Sequence, residues 1–182
     1  ASSSEQNTDN VQLSFFDITV SDAAATLSSL SVNTSGTYVT GDIKTNGFKL
    51  WMDSDATFTG ATQIGTSLSS TTGNGETLSF SSLSTEIAVG TSYFWITTDI
   101  DVSAAVSNTI SLNAIANTDF TFTSANKSGS VTAGGTITVI AASVPIVAVS
   151  ETSLSNFGSI VNGSSSSEAS FTVSGDNLTA SV

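Results

Sequence analysis

Aromatic and acidic side chains are concentrated in one short stretch, GTSYFWITTDID. Tyr93, Phe94 and Trp95 stand side by side, and Asp99 and Asp101 follow them. Because successive side chains of a β-strand point to opposite faces, a strand here places Tyr93, Trp95 and Asp99 on one face. An aromatic pair beside a carboxylate suits a sugar, since rings stack on pyranose C–H groups and carboxylates accept hydroxyl protons.

A second stretch, FKLWMD, has the same alternation. It predicts that Trp51 points outward with Lys49 and Asp53, so that Trp51 and Trp95 share an outer surface. Tyr93, Trp95 and Trp51 are therefore the candidate ligand-binding residues. The alternative is that the facing sheet, a loop or a neighbouring module covers this surface, which the usual deep burial of tryptophan favours.

Four aspartates occur in pairs one residue apart, Asp53 with Asp55 and Asp99 with Asp101. This spacing is typical of oxygen-ligand calcium loops, so these four residues are the candidate metal ligands. Calcium takes about six to eight oxygens, however, and the EF-hand spacing that ends in a glutamate is absent. The alternative is that each aspartate caps a turn by accepting backbone N–H bonds. We therefore predict no cofactor and leave a structural Ca²⁺ open.

Catalytic side chains are scarce, because the chain has no His and no Cys and its three basic residues are all lysines. The common nucleophile–base pairs and arginine clamps are therefore unavailable. A pair of carboxylates could in principle hydrolyse glycosides, but such chemistry needs one carboxyl kept protonated in an apolar cleft. Since the acids lie mostly at strand ends and turns, we expect no enzyme.

The charge balance excludes two classes of partner. Three basic residues oppose 15 acidic ones, which gives a net charge of -12. Nucleic acids and anionic membranes repel such a surface, and no apolar run approaches the ~20 residues of a membrane span. A chain free of Cys, poor in Lys and rich in Ser and Thr, with a polar N-terminal segment that starts with a small residue, indicates an extracellular or cell-surface protein.

Apolar residues recur at period two between turn sequences such as NTSG, KTNG and TTGNG. This pattern predicts an all-β fold with many short antiparallel strands in two packed sheets, an Ig-like or jelly-roll β-sandwich. Only DVSAAVSN suggests a short helical turn. The predicted strands cover residues 12–19, 25–32, 37–43, 47–53, 62–68, 76–82, 92–99, 108–115, 119–124 and 129–141.

A domain boundary is predicted near Pro145, the only proline in the chain. Proline cannot donate a hydrogen bond within a central ladder, so it suits a junction or an edge. We therefore divide the chain into a polar mature N-terminus at 1–10, a sandwich module at 11–142 and a partial second Ig-like module at 143–182. The last segment has about three strands, too few to close a sandwich alone, and is alternatively a strand-exchange segment.

Several quoted motifs resemble a known family. The pattern SGTY, KLW-DSDATF and GETLSFS, followed by GTSYFWITTDID and SNTIS, resembles a β-sandwich module of secreted surface proteins from Bacteroidetes. It is also similar to the N-terminal domain of BNR-repeat sialidases, and LSNFGSIVNGSSSSEASFTVSGDNLTASV resembles the start of an Ig-like module. The resemblance implies export and a place in a larger surface protein or filament.

These patterns predict a non-catalytic structural or adhesive module of a secreted or cell-surface bacterial protein. Two alternatives stay open: a carbohydrate-binding module that uses the aromatic face, and an extracellular filament subunit joined by β-strand exchange. The expected partners are other modules of the same surface protein, identical subunits or glycans. We expect neither nucleic-acid binding nor insertion into a membrane.

Overall fold

The structure, a computed structural model, describes residues 2–123, 125–150, 162–164 and 170–176. The described residues form short strands and two single-turn 3₁₀ helices, which confirms the predicted all-β class. They contain no helix long and apolar enough to cross a membrane. The strands are β1 (Ser2–Glu5), β2 (Val11–Val20), β3 (Ala25–Gly36), β4 (Ile43–Asp53), β5 (Thr62–Leu68), β6 (Thr77–Phe80), β7 (Thr85–Ile87), β8 (Gly90–Ile100), β9 (Thr109–Leu112), β10 (Ile115–Ala116), β11 (Phe120–Phe122), β12 (Ser130–Val131), β13 (Ile137–Ile140), β14 (Ile146–Val149) and β15 (Val173–Asp176).

Two main sheets form a sandwich. One has four antiparallel strands in the order β2-β8-β4-β5. The other has seven strands built around the long strand β3, which pairs with β6 and β7 on one side and with β9 and β11 on the other. Beyond β9 come β13 and then β1, which runs parallel to β13.

A single apolar core lies between the two sheets. Strand β8 contributes Phe94, Ile96 and Ile100 to it, and β4 contributes Phe48 and Leu50. These five side chains have no exposed surface, as the period-two pattern of both strands predicts. The opposite faces of β4 and β8 therefore point away from this core, and they carry the candidate ligand-binding residues.

Two local predictions are wrong. Residues 37–43 do not form a strand: a 3₁₀ turn, Thr40–Asp42, occupies the middle of this segment, and the carboxylate of Asp42 accepts the backbone N–H of Val39 at 2.8 Å. Residues 101–108 form two successive turns, closed by Ala104 N–H to Asp101 O and by Asn108 N–H to Ala105 O, in place of a helical turn. In both segments, side-chain bonds to the backbone compete with regular structure.

The first residues of the chain take part in the fold. The polar segment 1–10 has no strand in the sequence prediction, yet Ser2–Glu5 pairs along its full length with Ile137–Ile140. Parallel pairing satisfies the backbone groups of a segment whose side chains carry no strand pattern. The predicted long strand 129–141 is correspondingly reduced to the short strands β12 and β13.

The chain divides into two compact units, Ala1–Ala142 and Ser143–Val182. In the second unit the described strands β14 and β15 form a two-stranded antiparallel ladder in which all eight residues are exposed. Most of the predicted Ig-like segment lies outside the described residues, at 151–161, 165–169 and 177–182.

Candidate functional site

The outer face of the four-stranded sheet carries a continuous row of large side chains. In the register of the sheet, Trp51 of β4 lies between Gln63 of β5 and Trp95 of β8, and Phe15 of β2 follows Trp95. Directly opposed residues in antiparallel strands bring their Cβ atoms within about 5 Å of each other. The row therefore crosses all four strands and brings the two tryptophans together, as the sequence predicts.

Other aromatic rings of the same chain cover Trp95. Its exposed fraction is only 2%. The ring of Phe15 lies 5.2 Å from it on one side, and Phe58 from the β4–β5 loop lies 5.7 Å away at a steep angle. Phe58 also meets the edge of Trp51 at 5.3 Å, and the Trp51 indole N–H donates to the Thr97 hydroxyl at 2.9 Å. Trp95 thus supports the face from below, and Trp51 is only partly accessible.

The accessible end of the face consists of Phe15 and Tyr93. Phe15 is 50% exposed, and its ring is nearly parallel to that of Tyr93, with 6.1 Å between centroids. Tyr93 lies opposite Asp17 of β2 on one side and Asp53 of β4 on the other. We call these four residues, Phe15, Tyr93, Asp17 and Asp53, the exposed aromatic patch. It places two rings and two carboxylates together on a rigid sheet.

The site predicted from the sequence did not include two of these residues, Phe15 and Asp17. Phe15 and Phe16 are adjacent on β2, so one of the two rings had to leave the core, and strand alternation could have identified Phe15. Asp17 follows from the same alternation once the pairing of β2 with β8 is known. Phe58 has no such signal, because it lies in the loop that follows β4.

The opposite end of the face holds a paired charge. The Lys49 ammonium lies 2.5 Å from Asp99 and 3.1 Å from the Asn10 side-chain oxygen. Asp99 also accepts the backbone N–H of Asn10 at 2.8 Å, and it is 7% exposed. Both oxygens of this buried carboxylate are therefore engaged, one by the lysine and the other by the backbone.

The structure does not bring the two aspartate pairs together. Asp53 lies opposite Tyr93, and Asp99 lies six residues further along β8, on the order of 20 Å away. Asp55 accepts the N–H and hydroxyl of Thr57, and Asp101 accepts those of Ser103. Within the described residues, no three acidic, His or Cys side chains converge on a point where a metal ion would sit.

Hydrogen bonds at these turns shift the acidity of two aspartates. The hydroxyl of Thr57 and then its backbone N–H lower the pKa of Asp55 below the ordinary value. The backbone N–H of Ser103 and then its hydroxyl lower the pKa of Asp101 in the same way. Hydrogen bonds within each turn thus stabilise the ionised form of its aspartate, as expected if each aspartate caps a turn.

Another buried carboxylate, that of Glu76, lies on the core side of the sandwich. Glu76 is 8% exposed and accepts the Tyr38 hydroxyl and the Thr71 backbone N–H, each at 2.8 Å. Burial alone raises the pKa of Glu76, but the bonds from Thr71, Tyr38 and Thr72 outweigh it and leave the pKa below its ordinary value. Burial raises the pKa of the Tyr38 phenol, and the neighbouring carboxylate raises it further.

Comparison with known proteins gives no significant match: no family model, curated protein or solved structure aligns with the chain.

Proposed function

We propose that the chain provides a non-catalytic adhesive module of a secreted or cell-surface bacterial protein, and that the exposed aromatic patch is its contact surface. The observation that supports this proposal best is the half-exposed ring of Phe15, stacked on Tyr93 and held on a sheet strand. A large ring on a rigid strand makes contact at little cost in side-chain entropy, which is why aromatic residues are enriched at binding surfaces.

The buried row beneath the patch supports the same proposal. Trp95 and Phe58 fill the space behind Phe15 and Trp51, so the accessible rings rest on packed side chains. Such preorganisation lowers the conformational cost of binding. The carboxylates of Asp53 and Asp55, in the turn next to the face, accept hydrogen bonds from the backbone of that turn.

A carbohydrate is the ligand class that this surface favours. Sugars present C–H faces that stack on rings and hydroxyls that donate to carboxylates, and the patch offers both partners side by side. The carboxylate of Asp17 is exposed and accepts no hydrogen bond from the described residues, so it is available for a ligand hydroxyl.

Binding of the full chain to a glycan array and to insoluble polysaccharides tests this function. We expect Phe15→Ser and Tyr93→Ala each to reduce binding at least tenfold, the equivalent of about 1.4 kcal/mol. Val89→Ser is the matched control, since Val89 is a 57% exposed apolar residue next to β8 but outside the patch. Equal binding by the wild-type chain and all three variants would exclude the exposed aromatic patch as the binding site. Absence of glycan binding by the wild-type chain would exclude a carbohydrate ligand.

Self-assembly is a second proposal, and the described ladder of the second unit favours it. Strands β14 and β15 expose the apolar side chains of Ile146, Val147, Val149 and Val173, and among the described residues no further strand pairs with them. A two-stranded ladder on its own is marginally stable in water. Light scattering of the purified chain, followed by electron microscopy of any large species, tests it. A monomer at all accessible concentrations would exclude a filament built by this chain alone.

A further inference from the structure

The sandwich is open along one side, and this opening shares one residue, Asp17, with the exposed aromatic patch. Strand β2 is an edge of the four-stranded sheet, and β11 ends the seven-stranded sheet on the same side. A cavity of about 790 Å³ lies between the last residues of β2, the β2–β3 turn, β11 and the loop up to Val131. We call it the edge cleft. Its volume lies within the range of binding clefts, roughly 300–1,000 Å³.

The edge cleft has an apolar floor. Phe16 of β2 and Phe120 of β11 pack edge to face at 5.7 Å, and Phe120 lines the cleft. Above the contact lie apolar residues that pack against the core but remain only partly buried. Four of them line the cleft: Ile18, Val20, Phe122 and Val131. The core is therefore incomplete on this side, and further apolar side chains placed here would extend it.

The backbone of β2 is also incompletely paired along the cleft. In the part of the chain that the structure describes, β2 has one neighbouring strand, β8. Segment Thr132–Gly135 lies against the first half of β2, where a Cβ at Gly134 would collide with the Leu13 carbonyl oxygen. The second half, Asp17–Val20, faces the cleft. An edge strand beside a cleft that contains apolar side chains presents both backbone hydrogen bonds and side-chain contacts to an incoming strand.

The charge around the cleft selects the chemistry of that strand. Asp17 and Asp22 line the cleft, and neither forms an ion pair within the described residues. The only cation among the lining residues is Lys127, whose ammonium donates to the Phe120 carbonyl oxygen. A strand with basic ends would be attracted to these carboxylates, whereas a strand with acidic ends would be repelled.

We propose that the edge cleft accepts an extended segment of another protein, added antiparallel or parallel to β2, with apolar residues at alternate positions and lysine or arginine at its ends. The apolar residues insert between the sheets against Val20 and Phe122, and the basic ends meet Asp17 and Asp22. The site shares Asp17 with the exposed aromatic patch but none of the patch's rings.

A titration of the ¹⁵N-labelled 182-residue chain with three blocked nonapeptides tests this proposal. The probe is Lys-Thr-Val-Thr-Val-Thr-Val-Thr-Lys, the second peptide has Glu at both ends, and the third has N-methylated backbone at alternate threonines. We expect the probe to bind with a Kd below about 1 mM, to shift the amide signals of Ile18–Val20 and Phe120–Phe122, and to slow amide exchange at β2. The Glu and N-methyl peptides should each bind at least tenfold more weakly.

Variants then locate the site. Phe122→Ser should weaken probe binding about tenfold, and Asp22→Asn should weaken it about threefold, with Glu86→Gln as the control that removes one charge elsewhere. Asp22 has a positive φ of 68°, which asparagine tolerates. Phe15→Ser should leave probe binding unchanged, so that failure of the glycan proposal and failure of this one are distinguishable. The proposal would be overturned if the probe did not bind at about 1 mM, or if it shifted amide signals only outside the cleft. Equal binding of the probe and the N-methyl peptide would also overturn it, as would dimerisation of the chain through β2 without peptide binding.

Discussion

The two faces of β8 are both buried, but different parts of the molecule bury them. On the inner face, Phe94 and Ile96 are covered by the opposite sheet and form part of the single core. On the outer face, Trp95 is covered by side chains from β2, β4 and the β4–β5 loop. The opposite sheet covers the inner face, whereas a few neighbouring side chains cover the outer face. Substitutions should therefore be costly on the inner face, and on the outer face they should have smaller and more local effects.

The largest expected difference lies between two adjacent aromatic residues. Phe94→Ala should lower the free energy of unfolding by about 3–5 kcal/mol, because it leaves a cavity in the core. Tyr93→Ala should cost about 1 kcal/mol or less, since Tyr93 is partly exposed beside Phe15. Urea unfolding followed by circular dichroism measures both. Similar costs for the two variants would contradict the distinction between the faces.

The residues on the inner face of β8 were predictable from the sequence, whereas the side chains that cover its outer face were not. Period-two alternation assigns Phe94 and Ile96 to one side and Trp95 to the other, because a strand has only two faces. It does not identify what lies above each face. That depends on Phe58, a loop residue whose position follows from the path of the chain after β4.

Strand pairing sets a second limit on what the sequence could predict. The candidate residues Trp51 and Trp95 were correctly placed on one surface, because each strand's alternation is local. Asp17 joins the patch only through the register of β2 with β8, a long-range property that a single sequence does not carry. The edge cleft arises in the same way, from two strands that are about 100 residues apart in the chain.

A buried charge pair on the outer face gives the next largest effect. Lys49→Met should destabilise the chain by about 2 kcal/mol, because it removes the cation that lies 2.5 Å from the buried carboxylate of Asp99. Lys44→Met is the control: Lys44 pairs with Asp9 at 2.7 Å, but Asp9 is 60% exposed, so the change should be at most about 0.5 kcal/mol. Urea unfolding of both variants checks this, and equal effects would show that Asp99 is solvated.

The buried carboxylate of Glu76, on the core side, should make the stability of the chain depend on pH. The folded-state pKa of Glu76 lies below its ordinary value of 4.5, so Glu76 contributes stability above that value, and this contribution is lost as the pH falls through the folded-state pKa. Glu76→Gln should destabilise the chain at pH 7 by about 1.5 kcal/mol and flatten the loss of stability below pH 4.5. Urea unfolding of the wild-type chain and the variant from pH 7 to pH 3 measures this. If both lost the same stability below pH 4.5, Glu76 would be excluded as a source of the pH dependence.

Two adjacent threonines of β8 allow a finer test. The hydroxyl of Thr97, on the outer face, accepts the Trp51 indole N–H, whereas the buried hydroxyl of Thr98, on the inner face, has no hydrogen-bond partner among the described residues. Replacing Thr97 with valine should therefore destabilise the chain by about 1 kcal/mol, and Thr98→Val should stabilise it by a similar amount. Thermal unfolding of both variants gives the sign, and destabilisation by Thr98→Val would indicate that its hydroxyl is satisfied.

The smallest expected effect concerns calcium at the two ends of the outer face. A structural Ca²⁺ needs about six to eight oxygens in one place, but Asp53 and Asp99 lie at opposite ends of the sheet. Asp55 and Asp101 are each bonded to their own turns, so ion binding would have to displace these bonds. We therefore expect the melting temperatures in excess EDTA and in millimolar CaCl₂ to agree within about 1 °C, a few tenths of a kcal/mol.

A rise of several degrees with Ca²⁺, abolished by Asp55→Asn but not by Asp101→Asn, would locate an ion at the β4–β5 loop. Because that loop also carries Phe58, such a result would mean that an ion, and not side-chain packing alone, fixes the cover of Trp95.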